Sequence, residues 1–318
     1  MNWPVPDFAL AMFLALVIDA AIGWPDGIFN RIGHPVTWLG KLIEQLEKRL
    51  NHASNRRLKG IGAALAVIGA ASGLAALLAV MLPDGYVGIL IMAVLTWPLI
   101  AVRSMHEHVR AVSTPLKQGD ISASRHALSM IVGRDPDQLD EAGIARAGME
   151  SLAENTSDGI VAPIFWGVLF GLPGIAAYKA INTLDSMIGH RNERYEAFGW
   201  ASARIDDVVN FVPARLTGIL YVLVSGHPAR AMRVMINNAH QHRSPNAGWP
   251  EAALAGALDV RLSGPRVYNG ELSQEPWVNG AGRDADAEQL ELGLGLYVRL
   301  ILALCGLLVM VVSLGNLA

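Results

Sequence analysis

The sequence predicts an all-α, polytopic membrane protein with broken or re-entrant helices and cytoplasmic polar loops, forming a single integral membrane domain over 1–318. Three observations carry this. Of the 318 residues, 52% are hydrophobic on a count that omits the 32 glycines, while only 17% are charged, against about 25% in soluble domains. The apolar residues gather in blocks long enough to cross a bilayer. Two of those blocks are interrupted by proline, glycine and charge. Such composition excludes a disordered chain, and a net charge of −3 offers no basic field for nucleic acid. Cys305 is the only cysteine, so neither an intramolecular disulfide nor a thiolate zinc site can form.

The first block, about residues 7–24, spans if it tolerates Asp19. No basic stretch precedes it and no small-residue cleavage site introduces a soluble-looking chain, so it reads as a retained span, not a signal peptide. Block 60–82 is the firmest, with 23 residues free of charge. As a helix it reaches roughly 35 Å, enough for a hydrocarbon core of about 30 Å. Block 86–102 follows after only Pro83, Asp84 and Gly85, which predicts a helical hairpin. Blocks 160–178 and 208–226 are the interrupted ones. The former holds Pro163, Gly167, Gly171, Pro173 and Gly174, and the latter Asn210, Pro213 and Arg215. Irregular backbone survives at membrane depth only where protein or a water-filled cavity satisfies it, so these blocks suggest re-entrant helices, with kinked spans as the alternative. Block 298–317 is the last apolar segment.

Orientation follows from basic residues. Seven Lys or Arg lie between the first two long blocks, at positions 31, 41, 48, 49, 56, 57 and 59, and none in the turn 83–85. Polar regions 25–59 and 103–159 are therefore expected on the cytoplasmic side. Regions 179–207 and 227–296 join them there if both interrupted blocks dip in and return.

The polar stretches hold the chemistry. Asp135-Pro136-Asp137-Gln138 has the form of a helix start, with an acidic N-cap and proline at the first helical position, and the helix is expected to run to about Thr156. On it Arg146, Glu150, Glu154 and Asp158 recur every four residues and would share one face. The plain reading is a solvated, ion-paired face. The run Glu154-Asn155-Thr156-Ser157-Asp158-Gly159 before an apolar block would instead suit a hydrated magnesium ion with phosphate oxygens, making Glu150, Glu154 and Asp158 candidate metal ligands. Next, Lys179, Asn182 and Ser186 share a helical face that could hold a phosphate, although a lysine at a membrane border also serves as an interfacial snorkel. Asp185 accompanies them. Asp206, Asp207, Asn210 and Arg215 enter the fifth block, and charge at that depth marks a functional site by default, with Arg215 expected to pair with an aspartate. The third polar region runs from His240 to Gly270 around a short Ala-rich helix at 251–258. Its His240-x-His242 lacks further ligands in register, which favours hydrogen bonding over a zinc site. There is no Walker A loop, no His-Glu-x-x-His and no nucleophile elbow, so any nucleotide would need a non-standard site.

Five ordered motifs bring these stretches together: His34-Pro35-Val36 with Trp38-Leu39-Gly40; Glu150-Ser151 with Glu154 to Gly159; Lys179 to Met187; Asp206-Asp207 with Asn210 to Arg215; and Ser244-Pro245-Asn246 with Gly248-Trp249-Pro250-Glu251. Over nearly its whole length the sequence resembles the adenosylcobinamide-phosphate synthase family, membrane proteins of cobalamin biosynthesis. It departs in carrying Gly23-Trp24-Pro25-Asp26 where many members have Gly-Asp-Pro, and Asp259 and Ser263 at common glycines.

The resemblance implies a multi-pass protein of the bacterial inner membrane with its active face in the cytoplasm. It implies an ATP- and magnesium-dependent ligase joining the amine of aminopropanol, as the O-phosphate, to a propionate carboxylate of adenosylcobyric acid. On that reading the corrinoid is substrate, not prosthetic group. Glu150, Glu154 and Asp158 would hold magnesium, Lys179 and Arg215 would neutralise phosphate, and Asp185 or Asp206 would take a proton from the ammonium. Asn155, Asn182, Asn210, Asn246, Trp249 and Glu251 are candidate substrate contacts. Further partners are the lipid bilayer and either a second copy of the chain or other cobalamin-assembly enzymes. Two other classes fit parts of the pattern: a transporter with a midplane polar site, and a non-catalytic scaffold for corrinoid enzymes.

Overall fold

The computed structural model describes residues 4–52, 54–133, 135–268, 271–315 and 317. The last two positions of the long loop expected to end at Gly270 lie outside the described residues. Fourteen α-helices are described: α1 Val5–Ile22, α2 Asp26–Ile32, α3 Pro35–Leu50, α4 Arg56–Val80, α5 Tyr86–Thr96, α6 Val102–Lys117, α7 Ile121–Ser129, α8 Glu141–Thr156, α9 Ala162–Ile188, α10 Trp200–Val209, α11 Phe211–Val224, α12 Pro228–Asn238, α13 Gly248–Leu258 and α14 Ala287–Gly315. Between α13 and α14 lie strands β1 Leu262–Ser263, β2 Arg266–Tyr268, β3 Glu271–Ser273 and β4 Trp277–Val278. They pair antiparallel as β1 with β4 and β2 with β3, two small additions to a chain that is 76% helical. Among the described residues five helical stretches are long and apolar enough to cross a membrane, Val5–Ile22, Arg56–Val80, Tyr86–Lys117, Glu141–Ile188 and Ala287–Gly315, or six if α10 and α11 make one broken span, as befits a polytopic helical membrane protein.

The chain divides into two compact units. The first comprises Met1–Ala101, Ala162–Asn210 and Cys305–Ala318. The second comprises Val102–Val161 and Phe211–Leu304.

In the first unit a core of Ile43, Ala63, Ala64, Val67, Ala180, Leu184, Ile188 and Phe198 holds α3, α4 and α9 together. Small residues let the backbones approach, as membrane helices require. At Gly60 a Cβ would collide with the Phe198 carbonyl, and at Gly167 with the Met12 sulfur of α1. Helix α9 is folded back on itself. Gly171 takes φ 62°, and a Cβ on Gly174 would strike the carbonyl oxygen of Trp166. Along a straight helix those two residues would stand about 12 Å apart, so the chain reverses at Gly171–Pro173. Trp166 Nε1 donates to Val209 O at 3.2 Å and Tyr178 OH to Asn210 Oδ1 at 2.9 Å, one bond from each arm of this hairpin to the end of α10.

The span expected over 86–102 lies within an apolar helical stretch, Tyr86–Lys117, that is interrupted: α5 stops at Thr96, a 3₁₀ turn follows at Trp97–Leu99, and α6 begins at Val102. Pro98 explains this, since it has no N–H to continue the helix.

The second unit packs the buried, Ala-rich α13 against α11 and α12. Gly256 lies on the Ala231 backbone, and a Cβ at Gly218 would come 3.1 Å from Trp249 O. Helix α8 begins later than the Asp135–Gln138 signature suggests. Asp135 Oδ1 instead accepts the Asp137 N–H within a turn, and Asp140 is the N-cap, its Oδ1 accepting Gly143 N at 2.8 Å. Helix α8 passes directly into a π-helical turn, Ser157–Val161. Helix α13 starts at Gly248, three residues ahead of expectation, because Ser244 Oγ accepts the N–H groups of Asn246 and Ala247 just before it. Helix α14 starts at Ala287, behind an Asp286 cap, well before the apolar block at 298.

Candidate functional site

In the first unit the chemistry gathers on the second arm of α9 and on the segments beside it. Lys179 is 9% exposed, a burial that lysine rarely accepts unless it is paired. His34, the N-cap of α3, stands within its electrostatic reach. The His34 Nδ1 accepts Val36 N–H at 3.2 Å, Thr37 completes a reciprocal cap, and the imidazole also bonds to the Pro98 carbonyl. With Nδ1 accepting, the proton sits on Nε2. Burial first, and then the Lys179 charge, hold His34 below the usual histidine range, opposed by the Pro98 bond. Trp24 sits edge-on to His34 at 5.1 Å and against Trp97 at 5.4 Å. His34 and Trp24 escape sequence reasoning as site residues, because the partners that define this corner are some 60 to 145 positions away.

Beyond Lys179, Thr183 Oγ1 donates to Lys179 O and Ser186 Oγ to Asn182 O. Their hydroxyl protons are thus spent on the helix itself, so the expected Lys179–Asn182–Ser186 phosphate face has fewer donors than its spacing suggests. Asp185 is half-buried and close enough to Asp207 and His190 to feel their charges. Asp206 and Asp207 stand half-buried on α10, with Asp207 paired to Arg204 at 3.0 Å. Away from this cluster, Glu47 holds Arg194 through two bonds at 3.0 and 2.9 Å. The Arg194 hydrogen bond, helped by Asn51, keeps the Glu47 carboxyl below the usual range.

In the second unit Arg215 and the Ser244–Glu251 loop come together. Arg215 Nη1 donates to Asn246 Oδ1 at 3.1 Å and to Phe211 O at 2.7 Å, and the guanidinium lies over the Phe211 and Trp249 rings, 3.6 and 4.5 Å from their centroids. This corrects the aspartate pairing expected from sequence: the loop supplies an amide, carbonyls and π-faces, which hold a planar cation without neutralising it. His242 accepts Ser244 N–H at Nδ1 and approaches Glu251 through Nε2 at 3.6 Å, the hydrogen-bonding role expected for it.

The acidic face of α8 is drawn apart. Glu150, 6% exposed, accepts the Ser263 N–H through Oε1 at 2.8 Å and so ties α8 to β1. Arg146 lies 5.0 Å over Trp277, Glu154 is exposed, and Asp158 falls in the π-helical turn, whose wider winding breaks the four-residue stacking. Among the described residues no three His, Cys, Asp or Glu are grouped to hold a metal ion. Glu150, Glu154 and Asp158 thus form no preassembled cage. Asn155 turns its amide back to Ser151, donating to its carbonyl at 2.9 Å.

A family model described as "CobD/Cbib protein" matches residues 12–297. Among similar proteins, the Cobalamin biosynthesis protein CobD of Rhodobacter capsulatus is 60% identical over 294 residues, covering 92% of this chain and 94% of that protein. The protein of the same description from Brucella suis biovar 1 is 45% identical over 312 residues, covering 94% and 95%. One from a Sinorhizobium species is 46% identical over 303 residues, covering 91% and 93%. No solved structure matches.

Proposed function

The chain belongs to the CobD/Cbib family of cobalamin biosynthesis, and from that premise we propose that it is an ATP-dependent amide ligase of the bacterial inner membrane, acting at the cytoplasmic face. Its substrates are adenosylcobyric acid and aminopropanol O-phosphate. The observation that supports this best is the held but un-neutralised guanidinium of Arg215 beside Asn246 and Trp249, a preorganised cation for a phosphoryl group.

The chemistry balances as two displacements. A propionate oxygen attacks the γ-phosphorus of ATP and ADP leaves, giving an acyl phosphate. The amine nitrogen then attacks the acyl carbon, phosphate departs, and the ammonium proton passes to a carboxylate, for which Asp185 and Asp206 are proposed. Exclusion of water from the acyl phosphate is what a site at a membrane edge contributes. Magnesium brought with ATP keeps waters and phosphate oxygens as ligands and asks for only one or two carboxylates. Exposed Glu154 and half-buried Asp158 fit that demand. When bound, the ion would offset phosphate charge. Asn182, Asn210, Asn246, Trp249 and Glu251 remain the proposed substrate contacts.

Purified protein in detergent, given the corrinoid acid, aminopropanol phosphate, ATP and magnesium, should yield the amide by mass spectrometry. Arg215→Ala should abolish the product in a folded protein. Absence of any amide from the wild type, with corrinoid uptake in proteoliposomes, would replace the ligase by a transporter.

A further inference from the structure

In the second unit a chain of contacts runs from Arg215 back to a buried imidazole. On the loop side the guanidinium meets two acceptors, Asn246 Oδ1 at 3.1 Å from Nη1 and the Pro245 carbonyl at 3.4 Å from Nη2. The backbone that carries both is fixed by Ser244 Oγ, which accepts the N–H groups of Asn246 and Ala247 at 3.3 and 3.2 Å. Ser244 is held in turn by its own N–H, which donates to His242 Nδ1 at 3.0 Å. With Nδ1 accepting, the ring proton sits on Nε2, the nitrogen that stands 3.6 Å from Glu251 Oε1.

The imidazole is built into the unit. The side chains of His242 and Glu251 are 10% and 3% exposed, and Glu251 is the only carboxylate in residues 242–251. A Cβ on Gly248 would come 2.7 Å from the His242 Cβ, so the histidine sits directly against the first residue of α13. A histidine whose two nitrogens meet different partners has its orientation and tautomer set by them. One nitrogen here faces α13 through Glu251, and the other shapes the turn that faces Arg215.

We propose that His242 is a positioning residue: it carries the anchorage of α13, through the Ser244 N–H, to the Asn246 and Pro245 acceptors that aim the Arg215 guanidinium. Glu251 holds His242 in addition to the substrate contact proposed for it. A cation aimed in advance costs no reorganisation when phosphoryl charge arrives, and such aim depends on the groups behind it. The consequence for catalysis rests on the reading of Arg215 as that cation; the positioning itself does not.

The test uses full-length protein in detergent, labelled with the arginine reagent phenylglyoxal, with the rate at each arginine read by peptide mass spectrometry. Two substitutions separate the two nitrogens. His242→Asn puts an amide oxygen where Nδ1 accepts the Ser244 N–H, and gives up Glu251. His242→Gln puts an amide nitrogen near Nε2 and leaves the Ser244 N–H without its acceptor. Arg230 reports general loosening, since it caps the far end of α13 through Gly256 O at 2.7 Å and Ala257 O at 3.0 Å. Arg215 is expected to react several-fold faster in His242→Gln and at the wild-type rate in His242→Asn, with Arg230 unchanged in both. Unchanged Arg215 labelling in His242→Gln, equal acceleration in both variants, or Arg230 accelerating together with Arg215 overturns the proposal. Amide formation should fall in His242→Gln alone. Amide formation that stays at the wild-type level while Arg215 labelling rises leaves His242 its positioning role and removes Arg215 from the ligation.

Discussion

Glu150 separates a metal ligand from a structural tie. Its Oε1 accepts the Ser263 N–H at 2.8 Å, and the two residues are 6% and 2% exposed. Ser263 also holds φ 58°, a left-handed conformation that a serine keeps only when its surroundings fix it. A hydrogen bond to a charged acceptor contributes about 1.5–3 kcal/mol, and a buried N–H left without one costs about 1–3 kcal/mol. Glu150→Ala removes the acceptor and orphans the donor, and with the cavity it leaves should cost about 3 kcal/mol. Glu150→Gln keeps an oxygen in place and loses only charge assistance, about 1 kcal/mol. Unfolding in mixed detergent–SDS micelles reads both, alongside amide formation at saturating magnesium. The tie predicts that Glu150→Gln stays active within a few-fold, with no change in its magnesium requirement. An inactive Glu150→Gln that unfolds like the wild type would refute it and return Glu150 to the metal.

Three other outcomes follow from particular contacts. His34 is held below its usual range, so its stability contribution is fully present above the ordinary histidine value of 6.5 and is lost as pH falls through the folded value; between pH 8 and 5 the wild type should lose more unfolding free energy than His34→Asn, which keeps a capping side chain. Gly174→Ala drives a methyl into the Trp166 carbonyl and should destabilise by about 1–3 kcal/mol or prevent insertion, measured by detergent unfolding and membrane yield. Thr156 Oγ1 donates to Leu152 O at 2.6 Å and lies 2.9 Å from the Tyr221 hydroxyl, so Tyr221 is the donor between them; Thr156→Val, which strands that buried hydroxyl, should cost more than Tyr221→Phe, by about 1 kcal/mol on the same unfolding assay.

Much of this was legible where the signal is local. The helices α4 and α5 and the break between them follow from two apolar blocks parted by Pro83, Asp84 and Gly85, although α4 packs on α3, α9 and α10 and α5 on α1 and α9. The reversal at Gly171 follows from clustered glycine and proline. The Arg215–Asn246–Trp249 constellation joins residues singled out one by one, but their meeting depends on how α11 and α13 pack, which no periodicity encodes. The acidic face of α8 failed for a different reason. Four-residue spacing presumes uniform winding, and the π-helical turn at Ser157–Val161 removes it, while the Ser263 N–H that takes up Glu150 comes from a strand more than a hundred residues later. The Asp135 signature was ambiguous because an acidic residue before Pro136 also closes a turn, and Asp140 offered a cap five residues on.

The route of the chain sets an order of assembly. The first unit draws on three separated stretches, and Gly315 at the end of α14 packs so tightly on Pro6 that no side chain fits between them. During synthesis α1 therefore waits while some three hundred residues are made and inserted before its last neighbour arrives. Contacts of such long range are slow to form and leave intermediates exposed. Apolar surfaces on α1 must meanwhile be covered by lipid or by the insertion machinery. Substitutions in α14 that leave the finished protein intact should then show themselves as a lower yield of inserted protein.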